Sequence, residues 1–591
     1  MRMMLLAGVA TTIMGAASAQ AQVAYHVDFT DPVHHRAMVS ATFPAAPGET
    51  LDVKMPDWRT GAYEIRDLAN GVSQFRAMDA AGKPLAARKI DKQTWRIERG
   101  PGPVTVSYEL YANELTKRTR QINDTHAFLD ASATFVYADA HRAEPVTVTL
   151  DTPDNWRSFS GMDAAGTSGF RAASFDVLVD SPIDTGVNDS RTFTVAGKDY
   201  LLVATEVPFD LDRMAADLEK LVAAAVPGFW SDYPFDRYVF MVHGTESGGG
   251  ATEHMNSTVI QLPRQAFTVP QGYASFLGTA SHEFIHTWNV KAYRPGELVP
   301  YDYDAPNYTT LFWVAEGSTS YFTDPLLLKA GLIDTDEMLA EIGRLIQGNR
   351  NRPGRLVQSV AEASFDEWIS PDSPDRSRND WVNIYSEGQM ISWMLDLALL
   401  DATDGRVAYR DVHQALYARA KAGRQGFGEA DMLAIMAEMT GRDWSDWWER
   451  HVHQPVDPDY RALLRTVGLE MVEGERVNSL EAALGSAQRG GLEVRTIVKD
   501  GAAWRGGLTD GDVIVSIDGQ PATAELLNAR LGDAGQDTTF RVDVMRRGRS
   551  LSLDLPVGQT YPSAPTIRPI ASASARQKKL FEAWLQVAFP N

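Results

Sequence analysis

The sequence contains no cysteine. That excludes disulfides as a source of stability. It also excludes thiolate-ligated metal centres, so any metal site must be built from His, Asp or Glu. Cationic charge is scarce: 56 Lys and Arg against 77 Asp and Glu leave a net charge of −21. No long Lys/Arg block offsets this, so nucleic acid is not an expected partner. Past the N-terminal segment, no apolar run is long enough for a membrane helix.

That N-terminal segment is short. "MRMMLLAGVATTIMGAASAQAQ" sets Arg2 before an apolar stretch from Met3 to about Ala16, and the small residues Ala17, Ser18 and Ala19 follow. A basic start, a short apolar core and a small-x-small step describe a cleaved export signal, expected over residues 1–21. Such a signal implies a periplasmic or secreted protein with no membrane contact after signal removal.

The rest has ordinary globular composition, 44% hydrophobic over a 591-residue chain, which is enough for several domains. Residues 22–189 read as strands in series. "TLDVKMPDW", "GPVTVSYELYA" and "EPVTVTLDTP" alternate apolar and polar residues, so an N-terminal antiparallel β-sandwich-like domain is expected. No catalytic cluster is legible there, and His26, His34, His35 and His126 read as surface or packing histidines. Residues 190–457 begin as mixed α/β and become helical, giving two lobes with a cleft between them.

From about Leu469 to Val557 the texture changes again. In "GLTDGDVIVSIDGQPA", Val513, Val515 and Ile517 are expected to alternate inward, and Asp518-Gly519 is a strong hairpin turn. The stretch resembles a PDZ domain, set at residues 465–557. The resemblance implies binding of a peptide or protein C-terminus by strand addition, with Leu484, Gly485 and Ser486 as the expected carboxylate loop. Residues 558–591 read as a C-terminal tail ending in a helix.

Chemistry concentrates in "TASHEFIHTW". His282 and His286, four apart, share one helix face, with Glu283 rotated beside them. The spacing suits two nitrogen ligands with a carboxylate near the metal rather than on it. A catalytic zinc needs a third protein ligand. Glu316 in "LFWVAEGSTSYF" is the best candidate, because a carboxylate among so many apolar neighbours is costly unless paired or metal-bound.

A His/His/Glu set on two helices resembles the gluzincin, thermolysin-like peptidases. The order "HEFIHTWNVKAYRP", "LFWVAEGSTSYF", "IYSEGQMISWMLDLAL", between a β-rich N-terminal domain and a PDZ domain, resembles the PDZ-bearing glycyl aminopeptidases. Ile285, Ala292 and Glu387 depart from that pattern and bear on substrate preference. The resemblance implies a thermolysin-like catalytic domain with one zinc per chain, held by His282, His286 and Glu316. Glu283 is the expected general base, and Tyr385 the expected oxyanion donor. In "GGGATEHMNS", Glu253 is the expected anchor for a substrate α-amine, with Gly249 and Gly250 on an edge strand along the substrate backbone and His254 as a further polar contact. The function implied is removal of N-terminal Gly or Ala from peptides. Two other functions fit the residues less well: a zinc endopeptidase with a PDZ peptide-binding module, and a PDZ scaffold with a vestigial metal site.

Overall fold

Alternation in sequence becomes alternation in burial across the N-terminal domain. Arg36–Phe43 buries Ala37, Val39, Ala41 and Phe43 and turns the residues between them outward, as a strand covered on one face must. It belongs to an eight-stranded sheet that is antiparallel except where Val23–Asp31 runs parallel to Val146–Asp151. A five-stranded sheet that includes His126–Leu129 and Ile183–Gly186 meets the catalytic domain. Phe128 packs there with Val203, Val239, Met241 and Val259. The computed structural model describes residues 22–115, 118–166, 168–369, 378–535 and 537–590. The segment read as an export signal, 1–21, lies outside them.

The catalytic domain opens with strands β1 (Asp189–Val195), β2 (Lys198–Thr205), β3 (Arg237–Thr245), β4 (Gly250–Glu253) and β5 (Ser257–Pro263), in spatial order β1-β2-β3-β5-β4. Strands β2, β3 and β5 are parallel, and β4 pairs antiparallel on β5 at the edge. Helix α1 (Leu211–Gly228) crosses between β2 and β3, capped by the Asp210 carboxylate. Helix α2 (Pro270–Ile285) follows β5, with proline in its first turn, where its missing N–H costs nothing.

The helical lobe holds α3 (Ser318–Lys329), α4 (Thr335–Arg350) and α5 (Ile384–Thr403). A π-turn, Trp313–Gly317, precedes α3 and carries Glu316; such bulges are frequent at functional sites. Helix α5 crosses this turn at Gly317 and Gly388. A Cβ on Gly317 would sit 2.3 Å from the Gly388 Cα. Only paired glycines allow that approach, and it brings the first turn of α5 beside Glu316.

The PDZ domain includes β6 (Ala482–Ser486), β7 (Leu492–Ile497), β8 (Val513–Ile517) and helix α6 (Ala524–Asp533). Two expectations are corrected here. Leu484, Gly485 and Ser486 form no loop; they lie in β6, paired antiparallel with β7 at the sheet edge. Val515 does not face inward: it is exposed, while Ile514 and Ile517 are buried. The register with Thr539–Arg546 shifts between Ile514 and Ser516, and a bulge inverts the alternation. The turn at Asp518-Gly519 has two positive φ angles, 49° and 76°, as a tight hairpin requires.

Residues past 558 are no loose tail. Thr566–Pro569 pairs antiparallel with Leu469–Val472. Helix α7 (Ala575–Leu585) buries Leu580, Phe581, Trp584 and Leu585 in the catalytic core. Trp584 Nε1 donates to Tyr321 Oη at 2.7 Å. Among the described residues, no helix is long and apolar enough to cross a membrane.

Candidate active site

The last turn of α2 presents His282 and His286 on one face, with Nε2 atoms 3.0 Å apart. Glu316 Oε2 lies 3.6 Å from His282 Nε2 and 3.3 Å from His286 Nε2. Three ligands on a tetrahedral ion at the usual 2.0–2.1 Å bond length stand about 3.3 Å apart. The three side chains therefore fit one small divalent cation without rearrangement.

The surroundings prepare them. His286 Nδ1 lies 2.8 Å from the Asn289 carbonyl, which can only accept, so in the neutral ring Nε2 carries the lone pair. Asn289 Nδ2 in turn donates to Val314 O, Ala315 O and Thr319 Oγ1. One asparagine thus ties the end of α2 to the π-turn that carries Glu316. Burial alone would raise the Glu316 carboxyl, but His286 and His282 hold it well below the usual carboxylate range. Burial would lower His286, yet Glu316, Glu253 and Glu283 push it up to about 9. The group attracts positive charge.

Glu253, Glu283 and His286 also bring ligand atoms within 4.8 Å of one another. Two further buried carboxylates, Glu253 and Glu283, thus stand beside His286. Glu283 is buried, and its Oε2 has no partner among the described residues. Burial pushes its carboxyl up; His286 opposes that, while Glu253 and Glu316 add to it. Tyr385, at the start of α5, sets its ring 6.1 Å from the His282 ring. Burial, then the charge of Glu316, hold its phenol well above 10, so the hydroxyl stays a donor.

Glu253 ends edge strand β4 and is buried. Lys291 Nζ lies 3.7 Å from its Oε1 but only 2.8 Å from Asp180 Oδ1, so Asp180 is the lysine's main partner. His254 turns the same way, 3.4 Å from Asp180 Oδ1, and away from the His282 group. Gly249 and Gly250 flank Arg118, which donates to Gly249 O and Thr252 Oγ1. A Cβ on Gly250, where φ is 136°, would meet that guanidinium. Glu387 lies apart, its Oε2 accepting from Asn349 at 2.8 Å.

The N-terminal domain enters the site, which sequence reasoning missed. Tyr63 Oη donates to Glu316 Oε1 at 2.6 Å, and its ring lies 4.0 Å from that of Phe312. Gly61 roofs Glu253: a Cβ there would sit 2.5 Å from Oε2. Nothing local in "RTGAYEI" signals either contact. His126 is likewise more than a packing histidine. It joins His243 and Asp184 in a buried group, with Asp184 Oδ2 3.1 Å from His126 Nε2 and 2.5 Å from His243 Nε2. The 2.5 Å contact between His243 and Asp184 is a hydrogen-bond length, too short for two ligands on one ion. Asn188 and Gln261 complete the network, which links the N-terminal domain to β3.

Comparison with known proteins agrees with this arrangement. The Peptidase M61 N-terminal domain matches residues 24–187, the M61 glycyl aminopeptidase domain residues 275–391, and a PDZ domain residues 493–544. No curated protein matches the chain. Among solved structures, an aminopeptidase N family protein from Idiomarina loihiensis superposes with a TM-score of 0.87 at 25% identity, over 94% of this chain and 99% of that one. An M1 zinc metallopeptidase from Deinococcus radiodurans gives a TM-score of 0.46 at 13% identity, over 71% of this chain and 91% of that one.

Proposed function

We propose, from the premise that this chain is a PDZ-bearing metallopeptidase of the M61 glycyl aminopeptidase family, that it is an exported zinc aminopeptidase releasing N-terminal Gly or Ala from peptides. The observation that carries the proposal is the buried Glu253 carboxylate within 4.8 Å of Glu283 and His286. An anion at that point selects a protonated α-amine, and a peptide held by its amine loses its first residue.

His282, His286 and Glu316 would hold the zinc. When bound there, the ion supplies Lewis-acid polarisation and lowers the pKa of a coordinated water. Glu283 Oε2, buried without a hydrogen-bond partner among the described residues, would take the proton from attacking water and deliver it to the leaving amine. The Tyr385 hydroxyl donates to the oxygen that gains charge in the transition state. Glu253 fixes the ammonium, and the Gly249–Gly250 segment lies along the substrate backbone. The close approach of Gly61 to Glu253 leaves little room beside the amine, which supports a preference for Gly and Ala. Export rests on the pattern in residues 1–21, and peptide or protein C-termini remain the proposed ligands of the PDZ edge strand β6.

The test is a matched series of glycyl, alanyl and leucyl peptides with zinc-loaded enzyme. Preference for glycyl and alanyl over leucyl substrates supports the reading, and equal cleavage of all three refutes the specificity.

A further inference from the structure

The amine anchor gives the site a direction. Glu253 lies beside Glu283 and His286, toward the C-terminal end of α2. Room for the departing part of a peptide lies past His282, along the N-terminal turns of that helix. A cavity of about 730 Å³ opens there. Its floor is one face of α2, from His282 back through Thr279 to Gln271, about 16 Å at helical rise. That is room for several extended residues. Its far wall comes from α3 and α4, which contribute Asp324, Glu341 and Arg344.

The charges in this wall are unequal. Arg344 Nε is already bound to Glu341 Oε2 at 2.8 Å. Asp324 makes no hydrogen bond or ion pair with any described residue. Burial, with Glu341 adding and Arg344 opposing, pushes its carboxyl up to about 7. A part-buried carboxylate without a partner, lining a cavity that reaches the metal ligand His282, lacks a cation. Asp324 stands eight residues after Glu316, roughly 12 Å along the helix, within reach of a long side chain on the departing peptide.

We propose that this cavity is the subsite for the leaving peptide and that Asp324 makes it selective for a lysine or arginine side chain in the residues just after the scissile bond. Asp324 is thus a specificity residue with no part in the chemistry. The proposal rests on the aminopeptidase reading, and its test separates the two.

The substrates are Gly-Lys-Ala and Gly-Ala-Lys, each paired with its norleucine counterpart and its Nε-acetyl-lysine counterpart. They are assayed with zinc-loaded full-length enzyme at about pH 7.5, where Asp324 is mostly ionised while lysine and most of the substrate α-amine are protonated. The expected result is kcat/KM about tenfold higher for lysine than for either neutral counterpart at one position or both. Asp324→Asn should bring that ratio near one while leaving norleucine substrates cut as by wild type, which a merely structural role would not do. A wild-type ratio near one overturns the proposal, as does a ratio that survives in Asp324→Asn. If the variant does not fold, the wild-type comparison of lysine with acetyl-lysine still decides. Failure to cut any of these peptides would sink the aminopeptidase reading, and this proposal with it; cutting without lysine preference sinks this proposal alone.

Discussion

Replacing Tyr63 by Phe removes one atom and should weaken metal binding. The Tyr63 hydroxyl donates to Glu316 Oε1 at 2.6 Å, from a different domain. Glu316 is buried, so in Tyr63→Phe that oxygen loses its donor with little water to replace it. A hydrogen bond to a charged acceptor contributes about 1.5–3 kcal/mol, and a group that supports a metal ligand typically changes affinity by about 10–100-fold. The ring remains against Phe312, 4.0 Å between centroids, so packing is kept. Zinc affinity should therefore fall about 10–100-fold, measured by competition with a chromophoric chelator, while thermal stability of the zinc-loaded protein changes little. An unchanged zinc Kd would refute the reasoning, because it would mean that the hydroxyl does not support Glu316.

Other outcomes follow from the same geometry. Glu283→Gln should keep zinc, measured as about one ion per chain, while kcat falls by at least about a hundredfold through loss of the proton acceptor; near-wild-type turnover would remove Glu283 from the mechanism. Tyr385→Phe should lower kcat by roughly a hundredfold with little change in KM, whereas a change in KM alone would demote it to packing. Cutting the chain at Leu469 removes Trp584 and its neighbours from the catalytic core, where a large aromatic is worth about 3–5 kcal/mol, so this truncation should not yield a stable enzyme. Val472 pairs with Thr566; joining these strands by a short loop excises the PDZ domain alone and should retain hydrolysis of small peptides.

Much of the site was legible because its residues report themselves locally. His282 and His286 carry their geometry in their spacing, and Glu316 stands out as a carboxylate among Phe312, Trp313 and Ala315. Tyr63 and Gly61 could not be found this way. They lie in the N-terminal domain, Tyr63 253 positions before the glutamate it touches, and only the docking of that domain on β3 and its neighbours brings them in. Val515 was misread for a different reason. Period-two alternation holds only while the ladder is regular, and one bulge reverses it. The α7 helix was visible as a helix, but its apolar face did not say which core it fills. Asn289 was hidden in plain sight: it follows the metal motif directly, yet its role depends on carbonyls of a π-turn that sequence does not foretell.

The central claim is that the enzyme requires a free α-amine held by Glu253. The most direct measurement compares kcat/KM for a glycyl peptide and its acetyl-glycyl counterpart with wild type and Glu253→Gln. A protonated amine on a desolvated carboxylate contributes roughly 2–5 kcal/mol, with Lys291 at 3.7 Å drawing the value toward the lower end. Acetylation should therefore cost wild type about a hundredfold, and Glu253→Gln should lose most of that discrimination. Equal cleavage of free and acetylated peptides by wild type would contradict the account and make the protein an endopeptidase.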